Sequence, residues 1–270
     1  MNACDRRALI LLPLLLAFLS GPRLFAQVCD TGGGKQLVDL VNRERAFAGL
    51  ASLAVDDRLM RAACKHTSLL TQHKVLSHQF EEEAILPIRF AEENLRSSRQ
   101  AENVAQEMDV PGAHAALMNS PEHRATILSS QYTAIGVGVM RLGNKLYVTE
   151  DFAYRLPDYS EAQAAAVLDE AITKRARASG MAAPMRKPQA KLAKMACDMA
   201  LNDALDGQKA ATLPAVQDVF AWTAYDLNAL PRRVQSRLEQ PLTAGYSLGA
   251  CFAASVSHPE GVYWVVMVTY

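Results

Sequence analysis

The chain has 270 residues, half of them apolar, and its 28 lysines and arginines equal its 28 aspartates and glutamates. This neutral balance gives no electrostatic attraction to nucleic acid or to an anionic membrane surface, so neither is expected as a partner. The length and the apolar content suit one large domain or two of ordinary size.

The first 26 residues have the layout of a secretory signal. Arg6 and Arg7 precede an apolar run over residues 8–19, and helix breakers and an alanine follow. The run is shorter than the ~20 apolar residues of a membrane span, which disfavours an uncleaved anchor. The sequence therefore predicts export to the periplasm or the extracellular medium, with no transmembrane span in the remaining chain of 25 basic and 27 acidic residues.

The next part of the chain alternates helical and strand patterns. Apolar residues at helical spacing, stopped by glycine or started by acids or proline, predict helices, and alternation around a Gly-Asn pair predicts an antiparallel hairpin. The predicted helices cover 37–47, 56–70 and 113–119, with a further one from Ser120, and the predicted strands cover 135–141 and 146–154.

The second part of the chain repeats this order of elements. Helices are predicted over 160–178 and 189–204, and strands over 251–256 and 262–269. Residues 220–238 are predicted to form two short helices, or a helix and a loop, because Pro231 interrupts them. Residues 154–159, which include a proline, are the predicted linker.

Four cysteines remain after residue 26: Cys29, Cys64, Cys197 and Cys251. An even number in an exported chain predicts two disulfides. Three connectivities are possible, and we favour Cys29 with Cys64 and Cys197 with Cys251 because the chain divides between these pairs. Lipid attachment at Cys29 is disfavoured, since Val28 stands where a small residue would be expected.

That division rests on an internal repeat. Segments on the two sides of the linker match in a helix that carries a cysteine and in a closing hairpin. The matching segments are 59–64 with 192–197, 132–136 with 246–249, and 146–149 with 262–265. A shared alanine-rich composition would explain the helices but not the hairpins. We therefore predict two domains, 29–156 and 159–270.

An ordered series of short motifs points to a site in the first domain. His78 ends Leu-Ser-His, Glu102 and Asn103 stand in Ala-Glu-Asn-Val-Ala, and His123 stands in Ser-Pro-Glu-His-Arg, ahead of the Gly-bearing strand over 135–139. Each motif alone is weak, but the ordered series is specific.

Over residues 35–154 the series resembles the CAP superfamily (cysteine-rich secretory protein, antigen 5 and pathogenesis-related 1), in its bacterial form. The resemblance implies an α+β fold, an α-β-α sandwich, and the internal repeat then implies a degenerate second copy in tandem. It also implies a cleft with two histidines and two acids. Carried over by position, His78 and His123 are the histidines, Glu102 is the first acid and Asn103 holds its turn.

The second acid is where the chain departs from the family pattern. Ser120 stands where animal and plant members often have glutamate, and Leu117 stands where many members have tryptophan. Glu122, beside His123, is a possible substitute. The resemblance therefore supports a cleft with three residues more firmly than one with four.

Two imidazoles and a carboxylate allow three functions. His78, His123 and Glu102 could bind a divalent cation such as zinc, or act as acid and base in metal-dependent hydrolysis of peptide or envelope material. They could also hold loops around a groove that binds a small or apolar ligand, including a lipid. Because no serine or cysteine stands in a nucleophile context, binding is favoured over catalysis. A pure protein-interaction module is the remaining alternative.

Other polar and aromatic residues are assigned structural roles. His66 is expected to pack within its helix, His114 to face solvent, and the run Glu81 to Glu83 to be solvated. The second domain retains none of the cleft motifs, so it is expected to pack on the first domain or to offer a partner surface. Its large aromatic residues are expected in the core: Trp222, Tyr225, Tyr263 and Trp264.

Overall fold

The computed structural model describes residues 29–270, so the signal predicted over residues 1–26 lies outside the described residues. The N-terminal half (29–156) contains α1 (Thr31–Phe47), β1 (Ala54–Val55), α2 (Asp57–His73), α3 (Leu86–Glu92), β2 (Ser97–Glu107), α4 (Val110–Asn119), α5 (Pro121–Ile127), β3 (Ala134–Leu142) and β4 (Lys145–Arg155). The C-terminal half (159–270) contains α6 (Glu161–Ala178), α7 (Ala190–Leu201), α8 (Gln208–Ala211), β5 (Asp218–Ala224), α9 (Arg232–Arg237), β6 (Tyr246–Ala253) and β7 (Val262–Thr269). Within residues 29–270, no helix combines the length and the apolar character needed to cross a membrane.

Aspartate and serine side chains begin the long helices. Asp30, Asp56 and Asp109 each accept a hydrogen bond from a backbone N–H in the first turn of α1, α2 and α4, and Ser160 forms a capping box at α6. These contacts satisfy N–H groups that have no partner inside the helix.

The N-terminal half is built on a four-stranded sheet in the order β1-β3-β4-β2. β1 runs parallel to β3, and the other neighbours are antiparallel. On one face, Leu117 of α4 and Val148 of β4 share a buried cluster that also includes α1. On the other face, Leu59 of α2, Phe90 of α3 and Ala153 of β4 share another. Helices therefore cover both faces, and alternate residues of each strand face opposite layers.

Helix α2 approaches β3 closely through a glycine. A Cβ atom on Gly136 would lie 2.1 Å from the carbonyl carbon of Leu59. No side chain fits in this gap, so the contact requires glycine. The disulfide Cys29–Cys64 joins the start of α1 to α2.

The C-terminal half is built on a three-stranded antiparallel sheet in the order β5-β7-β6. Leu168 of α6 and Val265 of β7 share the buried cluster on one face, which also includes α9. Leu192 of α7 and Val266 of β7 share the cluster on the other face. The disulfide Cys197–Cys251 joins α7 to β6, so both disulfides have the favoured connectivity.

Several local predictions were wrong. Residues 218–224 form strand β5 rather than helix, because they pair with the distant β7, and α9 begins only after Pro231. Asn103 lies within strand β2 instead of a turn. His114 is 7% exposed and is not solvent-facing, because its side of α4 packs towards Glu44 of α1.

The two halves meet at Arg96, which precedes β2. Its guanidinium donates to the Tyr159 carbonyl oxygen at 3.0 Å and to the Tyr263 hydroxyl at 2.9 Å. It also lies over the Phe252 ring, 4.1 Å from the centroid. Arg58 of α2 pairs with Asp158 at 2.9 Å nearby. The contact between the halves is thus centred on one arginine and two aromatic rings.

Candidate functional site

His78 and Glu102 form a hydrogen-bonded pair at the edge of the first sheet. His78 Nδ1 lies 2.9 Å from Glu102 Oε1. The imidazole belongs to the loop between α2 and α3 and is 59% exposed, whereas the Glu102 side chain on β2 is 2% exposed. A buried carboxylate that binds Nδ1 orients the ring and directs Nε2 to a ligand.

The loop that carries His78 is held by polar contacts with α2. His66 Nδ1 lies 3.0 Å from both oxygens of Glu83, and His66 Nε2 donates to the Ser77 carbonyl oxygen at 2.9 Å. Phe80 donates its backbone N–H to Glu83 and stacks on His73. Glu83 therefore faces inward rather than belonging to a solvated run.

Arg89 of α3 is a central member of the site that sequence reasoning missed. Its side chain is 6% exposed, and its guanidinium lies 2.8 Å from Glu102 Oε2 and 3.4 Å from Glu83 Oε2. A buried arginine between two buried carboxylates attracts both and compensates one of their two negative charges. The available signal was an arginine between Ile88 and Phe90 in a short, largely apolar helix.

Two buried acids on β4, Glu150 and Asp151, were also missed. Asp151 is paired with Glu102 in the sheet register, and burial together with the Glu102 carboxylate raises the pKa of Asp151 well above its ordinary value. Burial raises the pKa of Glu150 to about 7, against a hydrogen bond from Asn103 that lowers it. Two consecutive acids inside an apolar strand were the signal for this pair.

Asn103 connects the sheet to the segment that carries His123. Its amide donates to Glu150 Oε2 at 3.2 Å and to the His123 carbonyl oxygen at 3.3 Å. His123 itself is half-buried near the start of α5, and burial and then the charge of His78 lower its pKa. The two histidines are therefore close enough to interact electrostatically.

Two residues were candidates for the second acidic position of the cleft, Ser120 and Glu122. Both lie at the start of α5. Ser120 precedes α5 as its N-cap residue, but its side chain makes no capping hydrogen bond. Glu122 is exposed in the first turn of α5, and its charge raises the pKa of His123 against the larger effects of burial and of His78. The residues that the structure places beside Glu102 are Arg89 and Asp151.

A metal site needs several side-chain donors that are free to bind the same ion. Among residues 29–270, no group of three or more His, Cys, Asp or Glu side chains has an arrangement that could hold a metal ion. Glu102 is already bound through one oxygen to His78 and lies beside the Arg89 guanidinium through the other. A cation would have to compete with that guanidinium, so the residues do not fit a zinc site well.

A pocket of about 360 Å³ lies beside the loop, between α2 and α3. Its wall includes Arg89, which also contacts Glu102, together with Glu83, Ala62 and Leu69. Its volume is in the range of small-molecule sites, although its lining is more polar than most.

Residues 38–152 match the model of the cysteine-rich secretory protein family, CAP. The chain is similar to "Uncharacterized membrane protein YlbC" of Bacillus subtilis (strain 168), with 32% identity over 127 residues, which are 47% of this chain and 36% of that protein.

Two solved bacterial structures are also similar. An extracellular protein containing a SCP domain from Bacillus anthracis str. Ames is 27% identical, with a TM-score of 0.42, over 45% of this chain and 40% of that chain. A cysteine-rich secretory protein from Staphylococcus aureus subsp. aureus Mu50 is 25% identical, with a TM-score of 0.38, over 46% of this chain and 39% of that chain. The match thus spans well under two thirds of each of these three relatives.

Proposed function

Since residues 38–152 form a CAP domain, we propose that this protein is an exported binding protein that holds a small ligand in the cleft of His78, Glu102 and His123. The observation that carries the proposal is the fixed orientation of His78, whose Nδ1 is bound by a buried carboxylate while its ring is exposed. Export is supported by the two disulfides, which persist in oxidising compartments.

The two imidazoles have different electrostatic environments. The hydrogen bond to Glu102 raises the pKa of His78, whereas burial lowers the pKa of His123. The opposite shifts mean that His78 holds its proton to a higher pH than His123 does. A ligand with an acceptor group for the first histidine would suit this cleft.

The alternatives have weaker support. A divalent cation would compete with Arg89 for Glu102, and a metal-dependent hydrolase needs the same cation. Ser77, the hydroxyl nearest His78 in sequence, donates to the Gln79 carbonyl oxygen and is not activated by a base. A pure interaction module would not need a buried carboxylate to orient an exposed histidine.

The test is to purify the exported protein and examine it by native mass spectrometry and metal analysis. We expect a bound small molecule without metal, which is lost in His78→Ala and in His123→Ala. His258→Ala, in the C-terminal half, is the matched control and should retain the molecule. Equal occupancy in all three variants and the parent would contradict the proposal, and a stoichiometric metal ion would favour the cation alternative.

We further propose that the C-terminal half is a degenerate second copy of the CAP domain. The strand order β5-β7-β6 corresponds to β2-β4-β3, and α7 precedes its sheet as α2 does. A Cβ atom on Gly249 would lie 2.2 Å from the carbonyl carbon of Leu192, as one on Gly136 would from Leu59. The parallel bridge from Arg186 to β6, just before α7, parallels the short β1 before α2.

The sheet register supports this proposal, because it relates positions in the two halves. Gly136 pairs with Asp151 and Gly249 pairs with Val266, so these two partners are equivalent. Asp151 also pairs with Glu102, and Val266 also pairs with Ala221. Glu102 therefore corresponds to Ala221. Buried carboxylates are thus replaced by apolar side chains on the same face of the sheet, which supports a loss of the cleft in this half.

The same correspondence applies to the opposite face. Asn103, which pairs with Glu150, corresponds to Trp222, which pairs with Val265.

Non-reducing peptide mapping tests the two-copy proposal, because each copy should contain its own disulfide. A peptide that links Cys64 to Cys197 would overturn it.

A further inference from the structure

The cleft lies along a long open edge of the first sheet. Strand β2 has 11 residues and pairs only with β4, whereas the opposite edge strand, β1, has two. Long edge strands are uncommon in soluble proteins because their free backbone groups pair with other chains, and they are usually shortened or covered.

The directions of the backbone groups follow from the β1–β3 contact. Ala54 N donates to the Thr133 oxygen, and Asp56 N donates to the Ile135 oxygen. The odd-numbered residues at this end of β3 therefore direct their carbonyl groups to β1. The even-numbered residues of β3 must then bond to β4.

The same alternation of odd and even residues extends through β4 to β2, because each strand pairs with the next in a fixed register. Even residues of β3 pair with odd residues of β4, so the even residues of β4 bond to β2. Their partners on β2 are odd, as in the Asn103–Glu150 pair. The N–H and C=O groups of Glu102, Val104 and Gln106 consequently point away from the sheet.

Glu102 and Gln106 are each partly exposed along this edge, whereas Val104 between them is 7% exposed. Glu102 is partly exposed as a residue although its side chain is only 2% exposed, so most of its exposed surface belongs to the backbone. Within residues 29–270, no hydrogen bond reaches the outward N–H and C=O groups of Glu102, Val104 or Gln106. The open edge therefore passes beside His78.

We propose that the ligand of the cleft is an extended peptide segment that pairs with the open edge of β2; this inference rests on the proposed function. An extended backbone offers donors and acceptors at the two-residue spacing of about 6.8 Å that the edge requires. The peptide residue opposite Glu102 has its side chain on the same face as the Glu102 side chain, and so beside His78. A hydrogen-bond acceptor at that position would bind the imidazole.

The probe is a pool of N-acetylated octapeptides with randomised sequence, applied to the full exported chain. A peptide selected from the pool is resynthesised twice, with N-methyl groups on its odd or on its even amides. We expect one pattern to weaken binding at least about tenfold and the other to be tolerated, because a strand pairs through one edge only. No selected peptide, or equal binding of both methylated forms, would overturn the proposal.

Amide hydrogen exchange locates the contact. We expect exchange at Glu102 and Gln106 to slow at least about tenfold with the unmethylated peptide, while Asn103, already bonded to β4, changes little. Slow exchange of the outward amides in the free chain, together with a dimer in solution, would instead assign the edge to a second copy and overturn the proposal.

Matched variants at one position test the edge in the protein. Gln106→Pro removes an outward N–H without removing a ladder hydrogen bond, and edge positions tolerate proline. We expect a loss of peptide affinity of roughly threefold to tenfold, whereas Gln106→Ala retains the N–H and the affinity. Equal affinities of the two variants would count against backbone pairing.

The outcomes separate this inference from the function on which it rests. If His78→Ala and His123→Ala release a co-purified molecule but no peptide binds, the proposed cleft function stands and the proposal of a peptide ligand is overturned. If peptides pair with β2 but neither histidine variant changes their affinity, the pairing stands and the role of the cleft histidines fails.

Discussion

Individual polar residues of the first sheet are buried at a high electrostatic cost. Glu102 and Asp151 face α2 and α3, where Arg89 compensates one negative charge. Glu150 faces the opposite layer, where Asn103 is its hydrogen-bond donor. A carboxylate without a cationic partner in an apolar layer holds its proton to a higher pH than it does in water.

Glu150→Gln should remove a destabilisation of the folded chain that depends on pH. Burial raises the pKa of Glu150 from 4.5 to about 7, so between these values the folded chain retains a proton that the unfolded chain has lost. The free energy of unfolding therefore falls as the pH rises through this window, by about 3 kcal/mol in total. Urea denaturation should show the variant more stable than the parent at about pH 8 and nearly equal to it at about pH 5.

The exposed Glu122 provides the control for this experiment. Glu122→Gln changes the same charge at the surface and should show no such dependence on pH. An equal difference between Glu150→Gln and the parent at both pH values would contradict the assigned pKa.

At the scale of elements, glycines in each sheet set the distance to a helix. Gly136 admits α2 and Gly249 admits α7, and an added Cβ would overlap helix backbone in both cases. Helix backbone cannot move aside as a flexible side chain can, so the strain must be relieved by displacing the whole element.

Gly136→Ala and Gly249→Ala should each destabilise the protein by about 3 kcal/mol or more. Both tryptophans, Trp222 and Trp264, lie in the C-terminal half, so their fluorescence reports that half while circular dichroism reports the whole chain. We expect Gly249→Ala to lower the fluorescence midpoint in urea more than Gly136→Ala does. Gly32→Ala, whose nearest contact is a side-chain atom at 3.3 Å, should change stability by no more than about 1 kcal/mol.

At the scale of the whole molecule, Arg96 joins the two halves. Its guanidinium donates to Tyr159 and Tyr263 and stacks on Phe252, so one side chain contacts both the linker region and the second sheet. A polar contact of this kind makes the stability of each half depend on the other only through a few residues.

Arg96→Ala should uncouple the halves. Loss of two hydrogen bonds and a cation–π contact is expected to cost about 2 kcal/mol of coupling, so the unfolding transitions seen by fluorescence and by circular dichroism should move apart. Arg99→Ala is the control, because Arg99 pairs with Gln131 within the N-terminal half. Coincident transitions in Arg96→Ala would show that other contacts hold the halves together.

The sequence by itself determined the features whose signals are local. Asp56 and Ser160 mark helix starts that the structure retains, and the ordered motifs around His78, Glu102 and His123 predicted the resemblance to the CAP family whose model matches residues 38–152. A cap or a short motif depends on residues within a few positions of each other, so it can be read along the chain.

Only the tertiary structure decided which polar groups meet and which backbone groups stay open. Arg89 and Asp151 reach Glu102 from a separate helix and a separate strand. Strand β5 was misread as helix because its pairing with β7 outweighs its local pattern. The open edge beside His78 exists because β2 ends the sheet, and strand order and register arise from contacts between distant segments, which local patterns do not encode.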